Sequence, residues 1–245
     1  MRKLRVRNGA RDLGSLKLCS FFRQVGIDLP LDQRRSILKA SLILLGVGIV
    51  LAALSVYGAF ASRHQGLSKL RWLTIKNSAN PGTTRYLGIR YMCTETPETT
   101  YCQNVADLKF AFCAREKVCE SCSKRSSAMF IPLTIAFLSS FTLMKSTHER
   151  YIGKDSALTK CRCLLPALVG NANSLCVLIS YSATCVRMGI HGERSSHRGP
   201  GYYLMISAII LKALVGLVNL CLPVHVFEQL DLSSETESSY ESSDA

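Results

Sequence analysis

Four long apolar runs constrain this chain more than any other feature: Ser41–Phe60, Ser127–Met144, Leu164–Val186 and Tyr202–Val224. The only charged residue inside them is Lys212. A helix that crosses a hydrocarbon core about 30 Å thick needs roughly 20 predominantly apolar residues. A helix on a soluble domain buries one stripe and solvates the other, so it carries charge on each turn or two. These runs do not. Charged residues make up 19% of the chain, below the roughly 25% of a soluble domain. The expectation is a membrane α-helical fold, a bundle of four transmembrane helices. That excludes a free cytosolic enzyme, a secreted protein and a DNA-binding domain.

The formal net charge of +13 raises nucleic acid as a partner, but its distribution argues otherwise. The segment before the first run carries ten Lys/Arg against three acids, and the stretch from 228 to 245 carries six acids and no Lys or Arg. Basic residues beside spans set orientation and meet lipid headgroups. The partners expected are membrane lipids and other membrane proteins, with no nucleic acid. The leader and the 145–162 loop together hold fifteen basic residues, whereas the 187–201 loop holds three. Short, Lys/Arg-rich flanks stay in the cytoplasm. Both termini are therefore expected there, with the 63–126 loop outside and the first run acting as an uncleaved signal anchor. The chain divides into a basic segment (1–40), a four-span unit (41–226) and an acidic tail (227–245).

Of the eleven cysteines, Cys93, Cys102, Cys113, Cys119 and Cys122 fall in the large loop. Their concentration there suits an oxidising compartment and disulfides. Five is odd, so one thiol is left free or pairs elsewhere, and the pairing of Cys113, Cys119 and Cys122 stays open. Cys119-x-x-Cys122 is half of a zinc pattern with nothing nearby to complete it. Cys161 and Cys163, at the cytoplasmic mouth of the third run, are palmitoylation candidates. Cys176, Cys185 and Cys221 read as small packing residues.

Within the loop, residues 70–76, 85–93 and 99–105 are strand-like, with a turn at Asn80-Pro-Gly82, and a helical pattern follows from Asp107 to Lys124. A small antiparallel sheet on a helical bundle follows from that spacing. Trp72 lies shortly after the first run, and Gly88-Ile89-Arg90-Tyr91-Met92-Cys93 precedes Cys102 by eight intervening residues. These residues resemble the Gly-Leu-Trp-x-x-Cys signature of the claudin superfamily, which includes peripheral myelin protein and calcium-channel gamma subunits. Trp72, Gly88, Ile89, Cys93 and Cys102 match the motif; the position of its tryptophan holds Arg90.

The resemblance implies a claudin-like fold with an extracellular sheet, a Cys93–Cys102 disulfide and residence in the plasma membrane. It also implies a non-enzymatic role in cell–cell junction or adhesion contacts; the alternative is an auxiliary, gamma-like subunit of an ion channel or receptor. Gly88 suits a strand passing close to another backbone, and Trp72 also reads as an interfacial anchor.

Lys212, near mid-membrane without an acid in any run, is expected to mark a contact with a partner subunit or to face a polar gap of its own bundle near Asn171, Asn173 or bundle carbonyls. The leader, with Leu13, Phe21 and Phe22 among basic residues, suits an interfacial helix or a basic tether. Ser234 and Ser238, each followed by an acid three residues on, are phosphorylation candidates. Five scattered histidines, no phosphate loop and no paired intramembrane carboxylates leave no catalytic constellation and no cofactor site.

Overall fold

The computed structural model describes residues 30–77, 82–107, 116–186 and 194–224. Helix α1 runs from Leu31 to Phe60, followed by a short helix α2 (His64–Leu70). Strands β1 (Leu73–Asn77), β2 (Thr84–Leu87), β3 (Tyr91–Glu95) and β4 (Thr100–Asn104) come next, then a single turn of 3-10 helix at Val105–Asp107. Helices α3 (Glu116–Ala128), α4 (Phe130–Tyr151) and α5 (Ala157–Thr184) precede strand β5 (Arg194–Arg198) and helix α6 (Pro200–Cys221). Four helical stretches, Leu31–Phe60, Glu120–Tyr151, Leu158–Thr184 and Pro200–Cys221, are long and apolar enough to cross a membrane. The chain is a multi-pass membrane protein in that sense.

The helices outrun the apolar runs in several places. The first begins at Leu31, inside what composition assigns to the basic segment, because Arg34 is buried rather than solvated. Local chemistry sets other ends. Ser156 caps α5 by accepting a hydrogen bond from the Thr159 N–H at 3.0 Å, the side-chain role expected of a serine at that position. Pro200 stands at the start of α6, where a missing N–H costs nothing. Ile43, Ile131, Leu138, Leu168, Ile179 and Leu217 remain exposed on the helices. Water would not tolerate so broad an apolar belt; lipid does.

The five strands form one antiparallel sheet in the order β4-β3-β2-β1-β5. Residues 85–93, expected as one strand, divide at Gly88-Ile89-Arg90 into two strands of a hairpin. The fifth strand comes from the 187–201 loop and pairs with β1, Leu73 opposite Arg198 and Asn77 opposite Arg194. One face of the sheet puts Leu73, Ile75, Leu87 and Met92 into a core shared with Met129, Leu133, Val177, Tyr181 and Met205. The opposite face carries Cys93, packed under Ala61 and Leu67, so α2 roofs it. A separate cluster, Leu45, Leu143, Cys163, Ala167 and Val215, holds the far half of the bundle together.

Candidate functional site

The chemistry-bearing residues gather at two ends of the bundle, and the sheet end is built around Trp72. Trp72 is fully buried, which corrects its reading as an interfacial anchor. Its indole N–H donates to the Ser55 carbonyl of α1 at 3.0 Å. Its ring meets Tyr181 of α5 edge-on at 5.2 Å and Tyr202 of α6 at 6.1 Å, a geometry favoured by the ring quadrupoles. Its backbone N–H donates to the Leu87 carbonyl, and its own carbonyl accepts from the Gly199 N–H at 2.9 Å. One side chain thus joins three helices, while its backbone joins both loops.

The Gly88-Ile89-Arg90 turn sits on the end of α1. The N–H groups of Ile89 and Arg90 both donate to the Ala59 carbonyl, at 2.8 and 3.0 Å. A helix end leaves such carbonyls without intrahelical partners, so the hairpin completes the helix. A Cβ at position 88 would lie 2.8 Å from the carbonyl oxygens of Gly58 and Ala59. Glycine is required there by close approach.

Two disulfides lock this end. Cys93 and Cys102 face one another across β3 and β4, with Cα atoms 4.0 Å apart. Cys122 of α3 bonds Cys185, just beyond α5, with Cα atoms 4.9 Å apart. Cys185 is therefore a cross-link, not a packing residue, and Cys122 is unavailable to a zinc site. No group of three or more metal-ligating side chains occurs among the described residues. Cys113 and the side chain of Cys119 lie outside the described residues.

The β4 edge of the sheet is largely polar and partly exposed. Tyr101 on β4 is half exposed, and Thr100 beside it is exposed. Tyr86 donates to Glu95 Oε2 at 2.8 Å, and His64 Nε2 lies 3.5 Å from the same oxygen. Burial, then the hydrogen bond to Glu95 and its negative charge, raise the Tyr86 pKa above its ordinary 10.0, partly offset by Arg71.

The other end of the bundle holds a buried ionic cluster. Asp155, in the loop between α4 and α5, pairs with Arg34 of α1 and accepts from Arg150 Nε of α4 at 3.0 Å. The rest of the Arg150 guanidinium donates to the Asn219 carbonyl and side chain and to the carbonyls of Leu222 and Pro223, at 2.8–3.2 Å. Those carbonyls terminate α6, where a cation also complements the helix dipole. Lys160 is fully buried nearby.

Several expected sites are corrected by this packing. Lys212 is 6% exposed; its ammonium donates to the Ala136 carbonyl at 2.7 Å and to Ser139 Oγ at 3.4 Å. It faces α4 within its own bundle, which removes it as a lateral partner contact. Of the own-bundle partners expected, a carbonyl is met and the asparagines are not: Asn173 donates to the Val169 carbonyl, and Asn171 Oδ1 is buried without a hydrogen-bond partner among the described residues. Cys161 is disulfide-bonded and Cys163 fully buried, so neither presents a thiol for acylation. Ser234, Ser238 and the leader lie outside the described residues. No protein-family model matches the chain, and no curated protein matches it significantly.

Proposed function

We propose that this is a non-enzymatic, claudin-type four-span protein of the plasma membrane that makes cell–cell contacts through its extracellular sheet. One observation carries the reading: a five-stranded sheet assembled from both loops, anchored on three helices by Trp72 and cross-linked by the Cys93–Cys102 disulfide, with Cys122–Cys185 tying the helices beside it, ends in an edge strand bearing exposed Tyr101. Such rigidity suits a surface that must meet another copy in a fixed orientation. A strand edge with no neighbour among the described residues offers backbone groups to a partner. Disulfides at this end favour an oxidising exterior, and the Lys/Arg count favours cytoplasmic termini.

A second reading, an auxiliary channel or receptor subunit, draws on a groove of about 250 Å³ between α5 and α6, lined by Ala167, Leu168, Asn171, Ala213 and Gly216. Small residues let a neighbouring helix approach closely in a membrane. Lys212 no longer favours it.

The test is expression in suspended cells that do not adhere to one another. Contact formation predicts clustering of expressing cells with one another, reduced by Tyr101→Asp at equal surface delivery. Dispersed cells at full surface delivery, with a single channel or receptor recovered by proximity labelling, would replace the adhesive reading by the auxiliary one.

A further inference from the structure

We propose that the cleft beneath Arg90 binds the phosphate of a membrane phospholipid in the leaflet on the sheet side. The cleft has a volume of about 260 Å³ and is lined by Phe60, Arg90, Asn104, Ala106, Ser126, Ser127 and Phe130. Phe60 ends α1 and Phe130 begins α4, so the cleft lies where two spanning helices leave the apolar belt. That is headgroup depth.

Its donors and acceptors are unevenly matched. Arg90 is exposed, has no carboxylate partner among the described residues, and lies over the Tyr91 ring at 5.9 Å. Its backbone N–H and carbonyl are fixed by Ala59 and Val105, so the guanidinium swings from a rigid pivot. The Asn104 side-chain carbonyl accepts from the Ala106 N–H at 3.0 Å, which turns its amide donor outward from that bond. Ser127 is exposed at the rim. The wall is apolar: Phe60 and Phe130 meet edge-on at 5.5 Å, and Ile131 continues it as one of the most exposed apolar side chains of α4. A guanidinium with amide and hydroxyl donors above, and aromatic rings running into lipid below, suits a phosphodiester bearing acyl chains. Arginine donates two parallel hydrogen bonds to such a phosphate. A free anion would use the donors but leave the apolar wall exposed.

The inference requires only the four-span membrane reading, and holds for either the adhesive or the auxiliary role. Native mass spectrometry of the delipidated full chain tests it, by titration with phosphatidylglycerol, with diacylglycerol of the same acyl chains, and with inorganic phosphate. The expected result is retention of one phosphatidylglycerol, with diacylglycerol bound far more weakly and inorganic phosphate unable to displace the lipid at equal concentration. Arg90→Gln should weaken retention about tenfold, as loss of a charge-assisted contact does. Ser127→Phe, which fills the cleft and leaves the hairpin untouched, should weaken it similarly, whereas Arg35→Gln at the other end of α1 should change nothing. Equal retention by the wild type, Arg90→Gln and Ser127→Phe would overturn the proposal. Displacement by inorganic phosphate would also overturn it, by making the cleft a site for free anions.

Discussion

Asp155 and Gly88 show how single positions carry this fold. Asp155 answers two arginines from different helices, Arg34 and Arg150. Removing it leaves two buried guanidinium groups without that carboxylate. Breaking a buried pair in that way costs about 3–5 kcal/mol, so Asp155→Ala should be strongly destabilising in detergent-solubilised protein followed by thermal or denaturant unfolding. A loss below about 1 kcal/mol would mean that water reaches the cluster. Gly88→Ala forces a methyl to within 2.8 Å of two carbonyl oxygens; overpacking of this kind costs about 1–3 kcal/mol. The glycine was legible as a close-approach position. The cluster of Arg34, Arg150 and Asp155 was not, because Arg34 lies more than a hundred residues from the other two and declares no pairing with them until helices bring them together. Lys212 was legible as an anomaly with two readings, a partner subunit or polar groups of its own bundle, between which the sequence did not choose. That its ammonium meets the Ala136 carbonyl depends on helix rotation, which an apolar run does not reveal.

Among elements, the apolar runs identify the four long helices, and strand-rich stretches locate most of the first-loop sheet. Strand β5 escaped. Arg194-Ser-Ser-His-Arg198 has no apolar alternation, because it is an edge strand whose pairing with β1 comes from main-chain bonds. Cys185 was equally opaque: it closes an apolar run, where a cysteine reads as packing. The two disulfides should differ in weight. They close separations of 9 and 63 residues, which chain entropy converts to about 2.6 and about 4.3 kcal/mol. Replacing Cys122 and Cys185 by Ala should therefore destabilise the protein more than replacing Cys93 and Cys102, as read by unfolding of the two double variants. The reverse order would imply that the hairpin bond also holds strain-free packing under α2 that the longer bond does not.

At the scale of the molecule, the two loops join in one sheet at one end of the bundle, and the ionic cluster lies at the opposite end. The proposed topology puts the sheet end on the oxidising side, where disulfides persist. The measurement that bears most directly on the account is non-reducing mass spectrometry of peptides from surface-delivered protein, quenched with an alkylating agent. It should return a peptide joining Cys122 to Cys185 and another joining Cys93 to Cys102, because the two loops share one oxidising side and one sheet. Recovery of Cys122 and Cys185 as alkylated thiols, in protein that has reached the surface, would contradict it.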